Sequence, residues 1–465
     1  MLRASYVVRR RPLTSLVVSS GTGLLFYGTY LEHEASKAEQ AYLAGQQDGT
    51  SRATLPRVYD WQALTEFWGN RPLSTARRFG EISYYLLPRA VAYVRDRYIF
   101  NALSTDPAVQ QEHAAHLREA LTRLGPAFVK AGQQLSIRPD LVPPVVLKEL
   151  QKLCDTVEPV EDAVALQVIR DELGTSDLET VFDNLRMVAS ASLGQVYKGK
   201  LKSTGAEVAV KVQRPNMRKL FSLDLYLLQH IGVAVDVFTS IFTNQPPFHK
   251  PLYESFASGS YSELDYEQEA ANQIRFKHEL AERKVPVVIP IVYEDYTTEK
   301  IITSQWIDGV KLADSPKERI RQLIPVGVEL FLTQLLDIGA FHADPHPGNL
   351  LVTPEGKLCL LDFGLCAEVD AKSRNALTNA IVHLLYRDFD ALVSQDAIEL
   401  GFLPPDFDAS DLKPILSRIL TVAIVEPGSN LHKRKKKLIE VSNELNEVFF
   451  QYPFSVPPFF ALVTR

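Results

Sequence analysis

"FHADPHPGNLLVTPEGKLCLLDFGL", residues 341–365, decides the reading of this chain. In it His342-Ala343-Asp344 is followed by Asn349, and Asp362-Phe363-Gly364 closes the stretch. The spacing suits phosphate chemistry. Asp344 can position a nucleophile, while Asn349 and Asp362 offer hard oxygen donors to a Mg²⁺ that bridges phosphates. The apolar runs on either side of "TPEG" read as a short strand pair that would aim these side chains. A lone Asp-Phe-Gly carries little weight. What stands upstream, and in what order, gives it weight.

Upstream lies "VASASLGQVYKGKL", residues 188–201. It fits the phosphate-loop frame of protein kinases, G-x-G-x-x-G-x-V, with substitutions. Ala189 and Ala191 occupy the first two glycine positions, Gly194 the third, and Val196 the valine. Alanine restricts φ relative to glycine and stiffens the approach of backbone amides to phosphates. Next comes "EVAVKVQ", where period-two alternation turns Val208, Val210 and Val212 one way and Ala209 and Lys211 the other. A lysine there can pair with α- and β-phosphates. Loop, Lys211, Asp344, Asn349 and Asp362 follow the kinase order, and a sheet-rich stretch precedes a helical one. The expected fold is α+β, a protein-kinase-like two-lobe fold. Two departures argue against a conventional protein kinase. Ala343 replaces the arginine that recruits a phosphorylated activation loop. No Ala-Pro-Glu follows Asp362, which leaves little room for peptide docking.

Two further motifs lie outside the kinase frame. "KAGQ", Lys130 to Gln133, stands well before the loop, and "SELDYEQEA" carries Glu263, Asp265 and Glu269. If this run is helical, Asp265 and Glu269 share a face four residues apart, so either could meet Lys211 or Lys130. KxGQ, the alanine loop, VAVK, ExD and "HADPHPGN" together resemble the UbiB family, also called the aarF-domain kinase-like family. The resemblance is dense over about residues 120–370. It implies an atypical kinase-like fold with an added N-terminal helical extension whose KxGQ segment packs over the site. It implies ATP or ADP binding with Mg²⁺, and ATPase or atypical kinase activity that supports coenzyme Q or other isoprenoid-lipid metabolism, not phosphorylation of proteins in trans. It makes Lys130 and Gln133 inhibitory-segment residues and Lys211 the phosphate lysine. Glu263 and Asp265 become the ExD pair and Glu269 the helix-C glutamate, beside Asp344, Asn349 and Asp362. Implied partners are a membrane surface or isoprenoid lipid, and lipid-biosynthetic enzymes. A catalytically silent nucleotide-binding scaffold is the alternative. A small-molecule kinase shares H-x-D-x₄-N but has no use for KxGQ or ExD.

Composition sets outer bounds. At 465 residues the chain is long enough for two or three units. A net charge of -6 argues against a nucleic-acid partner. Cys154, Cys359 and Cys366 form neither a CxxC pair nor a disulfide framework. The first stretch holds Arg3, Arg9, Arg10 and Arg11 and no acid before Glu32, the composition of an organellar import peptide. Residues 12–31 are uncharged, about the 20 residues a membrane anchor needs. The expected address is the mitochondrion, inner membrane or matrix side, with the plastid as alternative. Residues 36–75 read as an irregular linker. The long apolar stretch 220–242 contains Asp224, His230 and Asp236, so it reads as a packed helix and not a span. "HKRKKKL", residues 432–438, reads equally as a lipid contact or a charged helix face. The divisions are 1–55 (import peptide and linker), 56–180 (helical extension), 181–308 (N-lobe) and 309–465 (C-lobe). The last breaks off within an apparent helix.

Overall fold

The computed structural model describes residues 21–45, 53–100, 106–136, 142–153, 160–190, 193–242, 249–344, 347–408, 410 and 412–423. Ala191, most of the import-peptide stretch, Cys154 and residues 432–438 lie outside them. Helices lead: α1 (Gly21–Leu43), α2 (Trp61–Gly69), α3 (Pro72–Val94), α4 (Pro107–Leu124), α5 (Pro126–Leu135), α6 (Pro144–Leu150) and α7 (Asp162–Leu173). Strands β1 (Phe182–Ser190), β2 (Gly194–Leu201) and β3 (Glu207–Gln213) follow, then α8 (Met217–Phe242), α9 (His249–Ser262) and α10 (Tyr266–Glu282). After β4 (Val287–Val288), β5 (Ile301–Gln305) and β6 (Val310–Lys311) come α11 (Lys317–Leu332) and β7 (Ala340–His342). Strands β8 (Leu350–Val352), β9 (Leu358–Leu360) and β10 (Cys366–Glu368) precede α12 (Ala371–Tyr386) and α13 (Leu412–Ala423).

The chain forms two compact units. One gathers residues 1–109, 119–129 and 216–261; the other holds 110–118, 130–215 and 262–465. In the first, the stretch expected to be a linker contains α2. Asp60 starts it by accepting from the amides of Gln62 and Ala63, and Leu64, Phe67 and Trp68 bury its inner face. The acid inside α8 has its partner there too. Asp224 is fully buried and takes Arg78 Nε and Nη2 at 2.7 and 2.9 Å, a bidentate pair that removes the unpaired-charge penalty. No described helix is long and apolar enough to cross a membrane.

The second unit carries the kinase-like sheets. Strands β1-β2-β3-β5 form one antiparallel sheet, β4-β9-β8-β6 a second, and β7-β10 a pair. Val208, Val210 and Val212 are buried in the first sheet's core with Tyr197 and Ile301, as the alternation of β3 requires. Gly174 ends α7 in the left-handed region, φ 62°, the conformation a glycine C-cap supplies. The expected pair around "TPEG" is β8 against β9, and it packs over Phe276 and Phe363. The segment 287–305 is strand only at its ends, in β4 and β5. Its middle is a 3₁₀ turn at Glu294–Tyr296.

Candidate functional site

β3 and α10 bring the first charges together. Lys211 stands opposite Val196 of β2 and Ile302 of β5, and Val196 in turn faces Ala189 of β1. The Lys211 ammonium lies 2.9 Å from both oxygens of Glu269 and 3.0 Å from Asp362 Oδ2. Of the two acids that could have met it, Glu269 does. One cation therefore serves two carboxylates, and with Glu269 ionised a net negative charge remains. Burial pushes the Glu269 carboxyl up to about 7, with Lys211 offsetting and Asp362 adding repulsion. Burial opposes the charge on Lys211, yet the two carboxylates hold its pKa well above the ordinary value.

Asp362 is set in place by backbone geometry. Its φ is 56°, a left-handed conformation that aspartate tolerates better than most side chains. Gly364 donates its amide to Asp362 Oδ1 at 3.1 Å. Burial alone would raise this acid; Lys211 and that amide hold it well below the usual carboxylate range. The side chain stays 43% exposed, so its oxygens are open to a metal ion. His342 ties the two motifs together. Its Nδ1 accepts the Asp344 amide at 3.1 Å, and its Nε2 donates to the Asp362 carbonyl. Accepting at one nitrogen and donating at the other requires the neutral Nε2–H tautomer, and burial keeps the pKa below its ordinary value. Phe363 meets the His342 ring edge-on and packs against Phe276 of α10, while Asn272 donates to its carbonyl. Glu269, Asn272 and Phe276 follow helical spacing down one side of α10. That spacing was the available signal for Asn272 and Phe276. Asn349 Nδ2 donates to the Asp344 carbonyl at 3.1 Å, and its own carbonyl accepts from Leu361. Asp344, Asn349 and Asp362 thus belong to one hydrogen-bonded loop pair.

The extra motifs fall differently from expectation. Lys130 of α5, 8% exposed, forms an ion pair with Glu263. Asp265 meets neither lysine from a helical face: it precedes α10 as its N-cap, φ −122°, accepting from the amides of Glu267 and Gln268. Its carboxylate is engaged in starting the helix that carries Glu269. Gln133 donates to the Leu153 carbonyl at 2.9 Å. In the loop frame, Arg214 donates to Ser190 beside Ala189 at 3.0 Å. Gly194 is required by close approach. A Cβ there would stand 2.4 Å from the Val212 carbonyl oxygen and 2.7 Å from the Tyr266 hydroxyl. Tyr266, which the motif reading passed over, also puts its ring 5.0 Å from the Lys211 ammonium.

A sequence model of the ABC1 atypical kinase-like domain matches residues 152–395. The chloroplastic protein ACTIVITY OF BC1 COMPLEX KINASE 3 of Arabidopsis thaliana is 39% identical over 91% of this chain and 58% of its own length. An uncharacterised Synechocystis protein is 36% identical over 88% of this chain and 58% of its own. An uncharacterised chloroplastic aarF domain-containing protein kinase of Arabidopsis thaliana is 34% identical over 91% and 58%. The chain thus spans 58% of the length of each of these relatives.

Proposed function

The chain belongs to the ABC1 atypical kinase-like family, and from that premise we propose that it binds ATP or ADP with Mg²⁺ and turns ATP over by an ATPase or atypical kinase reaction. The observation that carries this reading is Lys211 shared between Glu269 and Asp362. Glu269 keeps the lysine extended along β3, where its ammonium would meet the α- and β-phosphates. Asp362 and Asn349 would hold the metal. No described group of three or more His, Cys, Asp or Glu side chains could hold an ion alone. The two oxygen donors of Asp362 and Asn349 suit a Mg²⁺ whose remaining ligands would be phosphate oxygens and water, its usual preference. Bound there, the ion would neutralise charge on the phosphates. Asp344, whose backbone is fixed by His342 and Asn349, would orient the attacking hydroxyl or water. Ala189 and Ala191 would slow phosphate capture, with Gly194 and Val196 completing the loop. Lys130, Glu263 and Gln133 would restrain access from the substrate side.

The chloroplastic names of the relatives favour the plastid, and we assign the chain there in place of the mitochondrion. Support of isoprenoid-lipid metabolism stands as the role that fits a turnover site without peptide docking, and the divisions at 56–180, 181–308 and 309–465 as its extension and two lobes. Thermal-shift titration tests the nucleotide reading. MgATP at about 100 times its Kd should stabilise the protein by roughly 2.7 kcal/mol. Asp362→Asn should remove most of that gain. A wild-type chain that gives no shift with ATP or ADP refutes it.

A further inference from the structure

Tyr266 carries a hydroxyl that the fold leaves unused. The residue is 1% exposed, and its hydroxyl has no hydrogen-bond partner among the described residues. A buried donor in that state has given up its bonds to water for nothing, so it calls for an explanation. The rest of the residue is firmly held. Its amide donates to the Glu299 carbonyl at 3.0 Å, and Gln213 of β3 donates to the neighbouring Leu264 carbonyl at 3.1 Å. Asp265 caps the helix immediately before it, and the ring packs with Ala270 and Ile302. Only the polar end is idle.

The strand register places that end. Val196 of β2 stands opposite Lys211 of β3, and Gly194, where β2 begins, stands opposite Gln213. Cross-strand partners share a face and so do alternate residues, so Gly194 and Val196 lie on the face that carries the lysine. A Cβ on Gly194 would come within 2.7 Å of the Tyr266 hydroxyl, and the bare glycine is what admits it. The ring lies 5.0 Å from the Lys211 ammonium. Hydroxyl, lysine and the start of β2 thus converge where Lys211 would meet phosphate. Burial raises the phenol well above its ordinary value, with Lys211 only partly offsetting, so the group is a neutral O–H donor. Glu269, Asp362 and Glu263 act on it electrostatically, and none of them accepts its proton in a hydrogen bond. Alanine at positions 189 and 191 restricts how the loop can turn its amides, which leaves room for a side-chain donor. We infer that Tyr266 is a phosphate-binding residue of the nucleotide site, its hydroxyl donating to a phosphate oxygen beside Lys211. This rests on the nucleotide reading and adds a residue to it.

Tyr266→Phe keeps the ring and removes only the hydroxyl. Calorimetric titration of the full chain with MgATP, MgADP and adenosine, beside melting curves of the unliganded protein, tests the inference. Affinity for MgATP and MgADP should fall about tenfold, the loss expected for a hydrogen bond to a charged group. Affinity for adenosine, which has no phosphate, should stay at the wild-type value. The unliganded variant should melt with the wild type or slightly above it, because removing an unpartnered buried hydroxyl breaks no bond. A variant that melts lower than wild type overturns the inference, since the hydroxyl would then serve the fold. Equal losses for adenosine and MgATP overturn it too, because the contact would lie away from the phosphates. Wild-type binding that survives intact in Tyr266→Phe refutes this inference and leaves the nucleotide reading standing. A wild-type chain that binds none of the three ligands refutes that reading, and the role of Tyr266 falls with it.

Discussion

Lys130→Ala removes the cation from a pair whose side chains are only 10% and 16% exposed. Exposed ion pairs contribute about 0–1 kcal/mol, and breaking a fully buried one costs roughly 3–5 kcal/mol. This pair lies between, and losing the lysine should cost about 2 kcal/mol, chiefly because Glu263 is left half-enclosed without its cation. At about 1.4 kcal/mol per factor of ten, that is roughly a 30-fold shift in the local opening equilibrium. Hydrogen exchange reads it directly. Amides of residues 131–136 should exchange about 30-fold faster in Lys130→Ala. Adding Glu263→Ala should restore much of the protection, since no unpaired charge then remains, and the double-mutant cycle gives the coupling. If the segment restrains access, ATPase or autophosphorylation should rise or change character in Lys130→Ala and Gln133→Ala. Unchanged exchange, or strictly additive effects, would refute the energetic argument. Loss of all nucleotide binding in both variants would show that the segment builds the pocket and does not gate it.

Gly194→Ala places a methyl against the Val212 carbonyl and the Tyr266 hydroxyl, and should cost roughly 1–3 kcal/mol of stability. A melting curve identical to wild type would contradict that close approach. Asp265→Ala should cost about 1 kcal/mol through loss of the α10 cap, whereas Asp265→Asn, which can still cap, should melt near wild type. Nucleotide affinity that collapses in both variants would give the Asp265 charge a direct part in the site. His342 has a pKa lowered by folding, so its contribution is present above the unfolded value of about 6.5 and is lost as pH falls through and below it. Glu269, raised to about 7, has the opposite sign: its contribution is full below about 4.5 and disappears as pH rises through 7. The difference in stability between wild type and His342→Gln cancels Glu269, and should shrink on acidification between pH 7 and 5. A difference that is flat with pH rejects a neutral, tautomer-locked His342.

What the sequence made legible was local. The valine alternation set the inward face of β3 and hence Lys211. The helix α2 was equally local, since Leu64, Phe67 and Trp68 have helical spacing, but nine residues among polar neighbours read as linker. Partner choice was another matter. "ELDYEQE" offers four acids within seven residues, and which one meets which lysine depends on where the helix begins. Asp265 settles that by capping Glu267 and Gln268. With the helix starting at Tyr266, Glu269 falls one turn inside it and reaches Lys211, while Glu263 stays outside and reaches Lys130, 133 positions away in sequence. One carboxylate accepting two amides thus sorts the acids between two sites. The same sorting leaves Lys211 as the single cation between Glu269 and Asp362. With Glu269 ionised, the surplus negative charge of that trio, which no motif spells out, is the physical reason for expecting a bound cation beside Asp362.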